Sequence, residues 1–248
     1  MSQPPTTHRE KQEKTVRPKV LFVLSSCPSF KEGDKDHPTG WYLPECAHPF
    51  YELDDKVEIV FASPKGGEAP LDPSSVEASK DDPVSNKFLH EKRMEWVATE
   101  KLSQYALKVK EFAAVFFVGG HGPMFDMAED ETVHELVRVF AENDKVVAAV
   151  CHGPAAIVNV KLSNGNYLIA NCQVTGFSNS EEDAVGLSKY MPFSLQDLLA
   201  KNSGNHYVRA EQDWGEKVVV EKGGKLITGQ NPASAAGVGK AIAAAIGV

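Results

Sequence analysis

The chain has 248 residues, 42% of them hydrophobic and 24% charged, with a formal charge of -8. That is the profile of an ordinary globular protein, and its acidic balance excludes a nucleic-acid partner because nothing would offset phosphate repulsion. No apolar run reaches membrane-spanning length and the polar N-terminus lacks a signal-peptide core, so a cytoplasmic (or also nuclear) protein without a membrane partner is expected.

Residues 1–18 are polar, charged and aperiodic, which predicts a flexible tail ahead of one α/β domain over 19–248. The apolar run 19–25 reads as a first, interior strand. Residues 41–53 have helical spacing, with Pro44 near the start and Pro49 as a kink or a break between two short helices. A second strand is expected over 56–62. Proline-rich, aperiodic sequence then predicts a long surface insertion at about 63–97. Within it, residues 85–97 are expected to form a helix presenting Phe88, Leu89 and Trp96, and Thr99 to cap a helix through Leu107.

Residues 112–118 form the third strand, ending in Gly119-Gly120-His121-Gly122-Pro123. An amphipathic helix over 131–143 places Val133, Leu136, Val137 and Phe140 on one face. The small apolar run 146–150 leads into Cys151-His152-Gly153-Pro154 and a helical pattern. Asn164-Gly165 predicts a hairpin between 160–162 and 167–169. A short strand and turn at 173–177 runs into Glu181-Glu182-Asp183, and Ser194 is placed to cap a helix through Leu199. Residues 218–220 and 226–228 make a hairpin about Gly223-Gly224, and the Ala-rich C-terminus suggests a helix packed closely on the sheet. Strands alternating with helices imply a mostly parallel central sheet covered on both faces.

In such sheets function collects beyond the C-terminal strand ends. Strand, sharp turn and helix start is the layout that exposes a nucleophile, and a helix N-terminus favours the thiolate of Cys151. A buried structural cysteine is the competing reading. The glycines at 119, 120 and 122 suit an oxyanion hole better than a phosphate loop, whose signatures are missing, although a turn needing positive φ is the plainer account. Glu45, among Trp41, Leu43, Cys46, Ala47 and Phe50, would have a raised pKa and relay protons, unless it lies on the helix surface. His48 reads as structural. His152 can pair with the thiol, with Glu181, Glu182 or Asp183 orienting the ring. The four cysteines, Cys27, Cys46, Cys151 and Cys172, lack Cys-x-x-Cys spacing and read as reduced thiols. His37, His48, His90, His121 and His152 are scattered without helical ligand spacing, so no metal is expected.

The stretch from Ala149 to Pro154 resembles the nucleophile elbow of the PfpI/ThiJ (DJ-one) superfamily, and Glu45-Cys46-Ala47-His48-Pro49 resembles its Glu-x-x-His-Pro helix. Gly119-Gly120-His121-Gly122, Val174-Thr175-Gly176-Phe177 and Asn231-Pro232-Ala233-Ser234 follow in family order. The long segment 63–97 and the Cys-His-Gly-Pro form are similar to the heat-inducible chaperone branch, which includes glutathione-independent glyoxalases (glyoxalase III). The resemblance implies a flavodoxin-like three-layer α/β/α sandwich and a homodimer, with Cys151 as nucleophile, Glu45 as helix glutamate, His152 as triad histidine and Glu182 as triad acid. Gly119, Gly120 and His121 would surround the substrate, with the Gly120 and His152 N–H groups as oxyanion hole.

It further implies conversion of methylglyoxal and similar 2-oxoaldehydes to lactate, a lyase-type reaction without a cofactor. Alternatives are a stress-response chaperone binding unfolded clients through Phe88 or Trp96, or a redox sensor using an oxidisable Cys151. A protein deglycase or a cysteine peptidase or amidase is a further option. Ala149 replaces the elbow glycine of the related amidotransferases, and His206 opens no His-x-Glu dyad, which speaks against glutamine amide hydrolysis.

Overall fold

The computed structural model describes residues 17–248. The expected tail over 1–18 therefore lies, apart from Arg17 and Pro18, outside the described residues. The strands are β1 (Lys19–Val23), β2 (Ser29–Glu32), β3 (Lys35–Pro38), β4 (Glu58–Ser63), β5 (Glu100–Lys101), β6 (Phe112–Phe117), β7 (Val146–Val150), β8 (Val218–Glu221) and β9 (Leu226–Gly229). Seven of them form one sheet in the order β5-β4-β1-β6-β7-β9-β8, and β2 pairs with β3 in a separate hairpin. All pairs in the large sheet are parallel except β8 on β9.

A parallel sheet must be covered on both faces, and the side-chain alternation along each strand supplies two apolar surfaces. Leu21, Val23, Val115, Phe117, Val147 and Ala149 face the helices Glu131–Glu142, Ala155–Val158 and Leu195–Ser203. Val20, Phe22, Phe116, Ala148 and Val150 face Leu43–Leu53, Pro83–Glu91 and Ala235–Ile246. This is a flavodoxin-like three-layer α/β/α sandwich. Among the described residues no helix is long and apolar enough to cross a membrane.

Several local expectations are corrected. Residues 43–53 form one helix that contains Pro49, not two short ones. Gly239 of the C-terminal helix comes so close that an added Cβ would lie 2.8 Å from the Pro49 Cα, and that burial offsets the lost backbone hydrogen bond. The insertion is not a surface excursion. It carries helices Pro73–Ala78, Pro83–Glu91 and Arg93–Val97, because Asp72 and Asp82 cap helices whose first turns begin with Pro73 and Pro83. Phe88 and Trp96 are buried against Trp41, so the exposed apolar surface invoked for client binding is absent at these two residues.

Thr99 caps no helix: its hydroxyl bonds Ser63 and the Gly67 carbonyl, and 3-10 turns follow instead. Asn164-Gly165 closes a tight turn held by a single Lys161–Tyr167 bridge, and residues 173–177 make only a bridge from Val174 to Tyr207. Both are too short to count as strands.

Candidate active site

β7 is fully buried and delivers Cys151 at its C-terminal end with φ +60°, the left-handed region that a side chain normally avoids. The turn is locked on every side. The Cys151 N–H donates to the Gly229 carbonyl at 2.9 Å, its carbonyl accepts from the Phe177 N–H at 2.9 Å, and the Gly153 N–H donates to Val150 at 2.7 Å. A side chain at Gly153 would run into the Phe117 and Val150 carbonyls, so only glycine closes the elbow.

The adjacent His152 is buried beside it. Its Nδ1 lies 3.4 Å from the Cys151 sulfur, and its Nε2–H donates to Glu182 Oε2 at 2.6 Å. The other Glu182 oxygen accepts from His121 Nε2 at 2.8 Å. A carboxylate only accepts, so both rings carry their proton on Nε2, which leaves the His152 Nδ1 lone pair facing the thiol. Burial works against ionisation of Glu182, but His152 and His121 together hold its carboxyl well below the usual range. Burial, reinforced by His121, keeps His152 neutral by lowering its pKa.

Glu45, in the first turn of the helix Leu43–Leu53, is fully buried and neither carboxyl oxygen has a well-formed hydrogen-bond partner. Burial raises its pKa well above that of an ordinary carboxyl, with the Cys151 thiol and the Gly119 N–H facing it. The thiol is pushed up in turn, by burial first and by Glu45 second. The thiolate expected from a helix N-terminus is thus not favoured: the following helix is a single turn, Ala155–Val158, and burial beside Glu45 outweighs its dipole. Gly120 points its N–H at the Cys151 sulfur, whereas Gly119 serves Glu45 and the backbone N–H of Tyr42.

These groups open into a cavity of about 280 Å³. The DJ-1/PfpI family model matches residues 45–245, from the buried glutamate through the elbow to the C-terminal helix. The chain belongs to the DJ-1/PfpI family. It is 37% identical to a solved structure of Rapid Encystment Protein 24 KDa from Francisella tularensis, with a TM-score of 0.83 over 92% of this chain and 99% of that one. Glyoxalase III from Candida albicans, also solved, is 28% identical with a TM-score of 0.79, covering 92% of this chain and 97% of its own. The glutathione-independent glyoxalase HSP31 of Saccharomyces cerevisiae is 28% identical over 88% of this chain and 93% of its length.

Of the expected residues, the fold of this DJ-1/PfpI protein gathers Cys151, His152, Glu45, Glu182, Gly119, Gly120 and His121 in one place. His121 lines the cavity and its ring also donates to Glu182. Glu181 and Asp183 turn away: Glu181 accepts from Ser178, Trp214, Gln230 and Asn231, and Asp183 from Ser188. His48 bonds Asp82 at 2.8 Å, a structural role as expected.

Sequence reasoning missed Tyr42, His37, Asp72, Val185, Leu187 and Trp214, all of which line the cavity. Tyr42 lies inside the stretch 41–53 that reads as helical and caps the helix, His37 enters only among the scattered histidines, and the others carried no signal. It also treated the histidines as scattered, whereas ligand atoms of His121, His152 and Glu182 lie within 4.8 Å of one another, close enough to hold a metal ion. Each Glu182 oxygen is already matched to one imidazole N–H, so a proton-positioning network accounts for the cluster.

Proposed function

We propose that the protein is a glutathione-independent glyoxalase that converts methylglyoxal and related 2-oxoaldehydes to lactate-type acids without a cofactor. The observation that carries this reading is the Cys151 thiol held between the His152 Nδ1 at 3.4 Å and the fully buried Glu45 carboxyl. His152 takes the thiol proton as sulfur adds to the aldehyde carbon, and returns it to the new oxygen to give a hemithioacetal. Gly120 and His152 N–H groups are the proposed donors to that oxygen as its charge develops. Glu45 removes the proton from the first carbon and delivers it to the second through an enediol, while the hydroxyl proton passes from the first oxygen to the second. The product is a thioester, and water hydrolyses it to the 2-hydroxy acid and free thiol. Net, one water is added, the reverse of a hydro-lyase step.

The names of the yeast and Candida relatives support this reading. A small, partly enclosed cavity suits a free oxoaldehyde better than a glycated or cleavable peptide. We further propose that residues 19–248 act as one folding unit, in a cytoplasmic homodimer. A single unfolding transition, a sedimentation mass of two chains and the distribution of a tagged protein check these points.

Proton NMR of the products after adding methylglyoxal without glutathione tests the activity. Lactate is expected from the wild type after dialysis against a chelator, and not from Cys151→Ala or Glu45→Gln. Wild-type turnover by Cys151→Ala would refute the proposal.

A further inference from the structure

Beyond the groups placed around the thiol, the cavity has one wall that the chemistry does not use. Phe177, Val185, Leu187 and Trp214 line it, and its volume of about 280 Å³ falls near the lower end of pockets that enclose whole small ligands (~300–1,000 Å³). A three-carbon oxoaldehyde bound at Cys151 leaves this wall uncovered. Two polar groups of the lining are already engaged within the protein. Asp72 accepts from Thr39 and Ser74, and His37 pairs with Glu32. They offer little to a polar substituent.

Trp214 is held at the cavity rim by contacts that do not depend on its own burial. The residue is 46% exposed. Its backbone has φ +63°, a conformation that persists in a bulky residue only where the surroundings impose it. The anchor is the Trp214 N–H donating to Glu181 at 2.9 Å, and Glu181 is fixed in turn by Gln230 and Asn231. The indole meets Phe177 edge-on at 5.6 Å, and Phe177 lies 4.5 Å from the His152 ring. An aromatic surface thus runs from the thiol's partner to solvent.

We infer that Trp214 is a specificity-determining residue, and that with Phe177, Val185 and Leu187 it receives the substituent of 2-oxoaldehydes carrying a flat apolar group. The inference rests on the glyoxalase reading and deepens it: arylglyoxals are the preferred class, and methylglyoxal is a substrate that leaves the wall empty.

The test compares kcat/KM for phenylglyoxal and methylglyoxal in wild type, Trp214→Ala and Trp214→Phe. Wild type is expected to favour phenylglyoxal by about tenfold or more, a typical effect of apolar groups in a fitted pocket. Trp214→Ala should bring the ratio near one, with kcat/KM for phenylglyoxal falling about tenfold further than that for methylglyoxal, and Trp214→Phe should keep most of the preference. No wild-type preference, a preference that survives Trp214→Ala, or equal losses on both substrates overturns the inference. If wild type consumes neither aldehyde, the glyoxalase reading fails, and binding of mandelate against lactate then decides the wall. Tighter mandelate binding that quenches tryptophan fluorescence and vanishes in Trp214→Ala supports it, and equal affinities overturn it.

Discussion

Glu182→Gln separates the charge of the acid from its shape. In the native site each oxygen accepts one imidazole N–H, from His152 at 2.6 Å and from His121 at 2.8 Å. Glutamine supplies one accepting oxygen and one donating nitrogen, so one of the rings must turn a bare Nε2 towards it. If that ring is His152, its proton moves to Nδ1, and the group 3.4 Å from the sulfur becomes a donor instead of a base. In the other orientation the tautomer survives, but the imidazolium formed on thiol deprotonation loses its counter-charge. For charges ~4 Å apart at an effective dielectric of ~20 that attraction is about 4 kcal/mol. The rim of the site is partly open to solvent, which reduces this. With ~1.4 kcal/mol per tenfold in rate, kcat should fall by about two to three powers of ten. Lactate formation followed by NMR at pH 7 gives the rate, and iodoacetamide alkylation of Cys151, also expected to slow, reports the thiol without substrate. A folded Glu182→Gln protein with wild-type kcat and alkylation rate would refute this account of His152 as the base.

Neither Glu45 oxygen has a well-formed hydrogen bond to offset its burial, so Glu45→Leu should abolish activity yet stabilise the fold by about 1–3 kcal/mol. Because the folded pKa of Glu45 lies above its ordinary 4.5, the wild-type penalty is absent below that value and grows as pH rises through the interval above it. Calorimetry should therefore show a larger Tm gain at pH 8 than at pH 4, and equal gains would contradict a buried ionisable carboxyl. At Cys151, φ +60° strains any residue with a Cβ. Cys151→Gly should be more stable than Cys151→Ala by about 0.5–1 kcal/mol in urea titrations, once glycine's extra unfolded-state entropy is subtracted. An alanine variant that is equally or more stable would show that the elbow stores no strain.

What neighbouring residues encode is legible in the sequence by itself. The apolar runs of β1, β6 and β7 have no other good fate than a covered parallel sheet, and Gly153-Pro154 two residues after a thiol marks the elbow because few other pairs fit that turn. Asp72-Pro73 and Asp82-Pro83 are equally local, but reading the prolines as breaks hides the fact that each follows a capping aspartate.

The choice among Glu181, Glu182 and Asp183 is of another kind. Adjacent helical positions differ by about 100° in direction, so which acid meets His152 depends on how the helix is set against the elbow. Glu181 ends up beneath Gln230 and Asn231, distant in the chain. The ring of His121, the indole of Trp214 and the raised pKa of Cys151 follow the same rule. Backbone geometry and periodicity are properties of a chain and its near neighbours. The charge state of a buried group, and the wall a substrate meets, depend on which distant side chains share its cavity, and only the tertiary structure decides that.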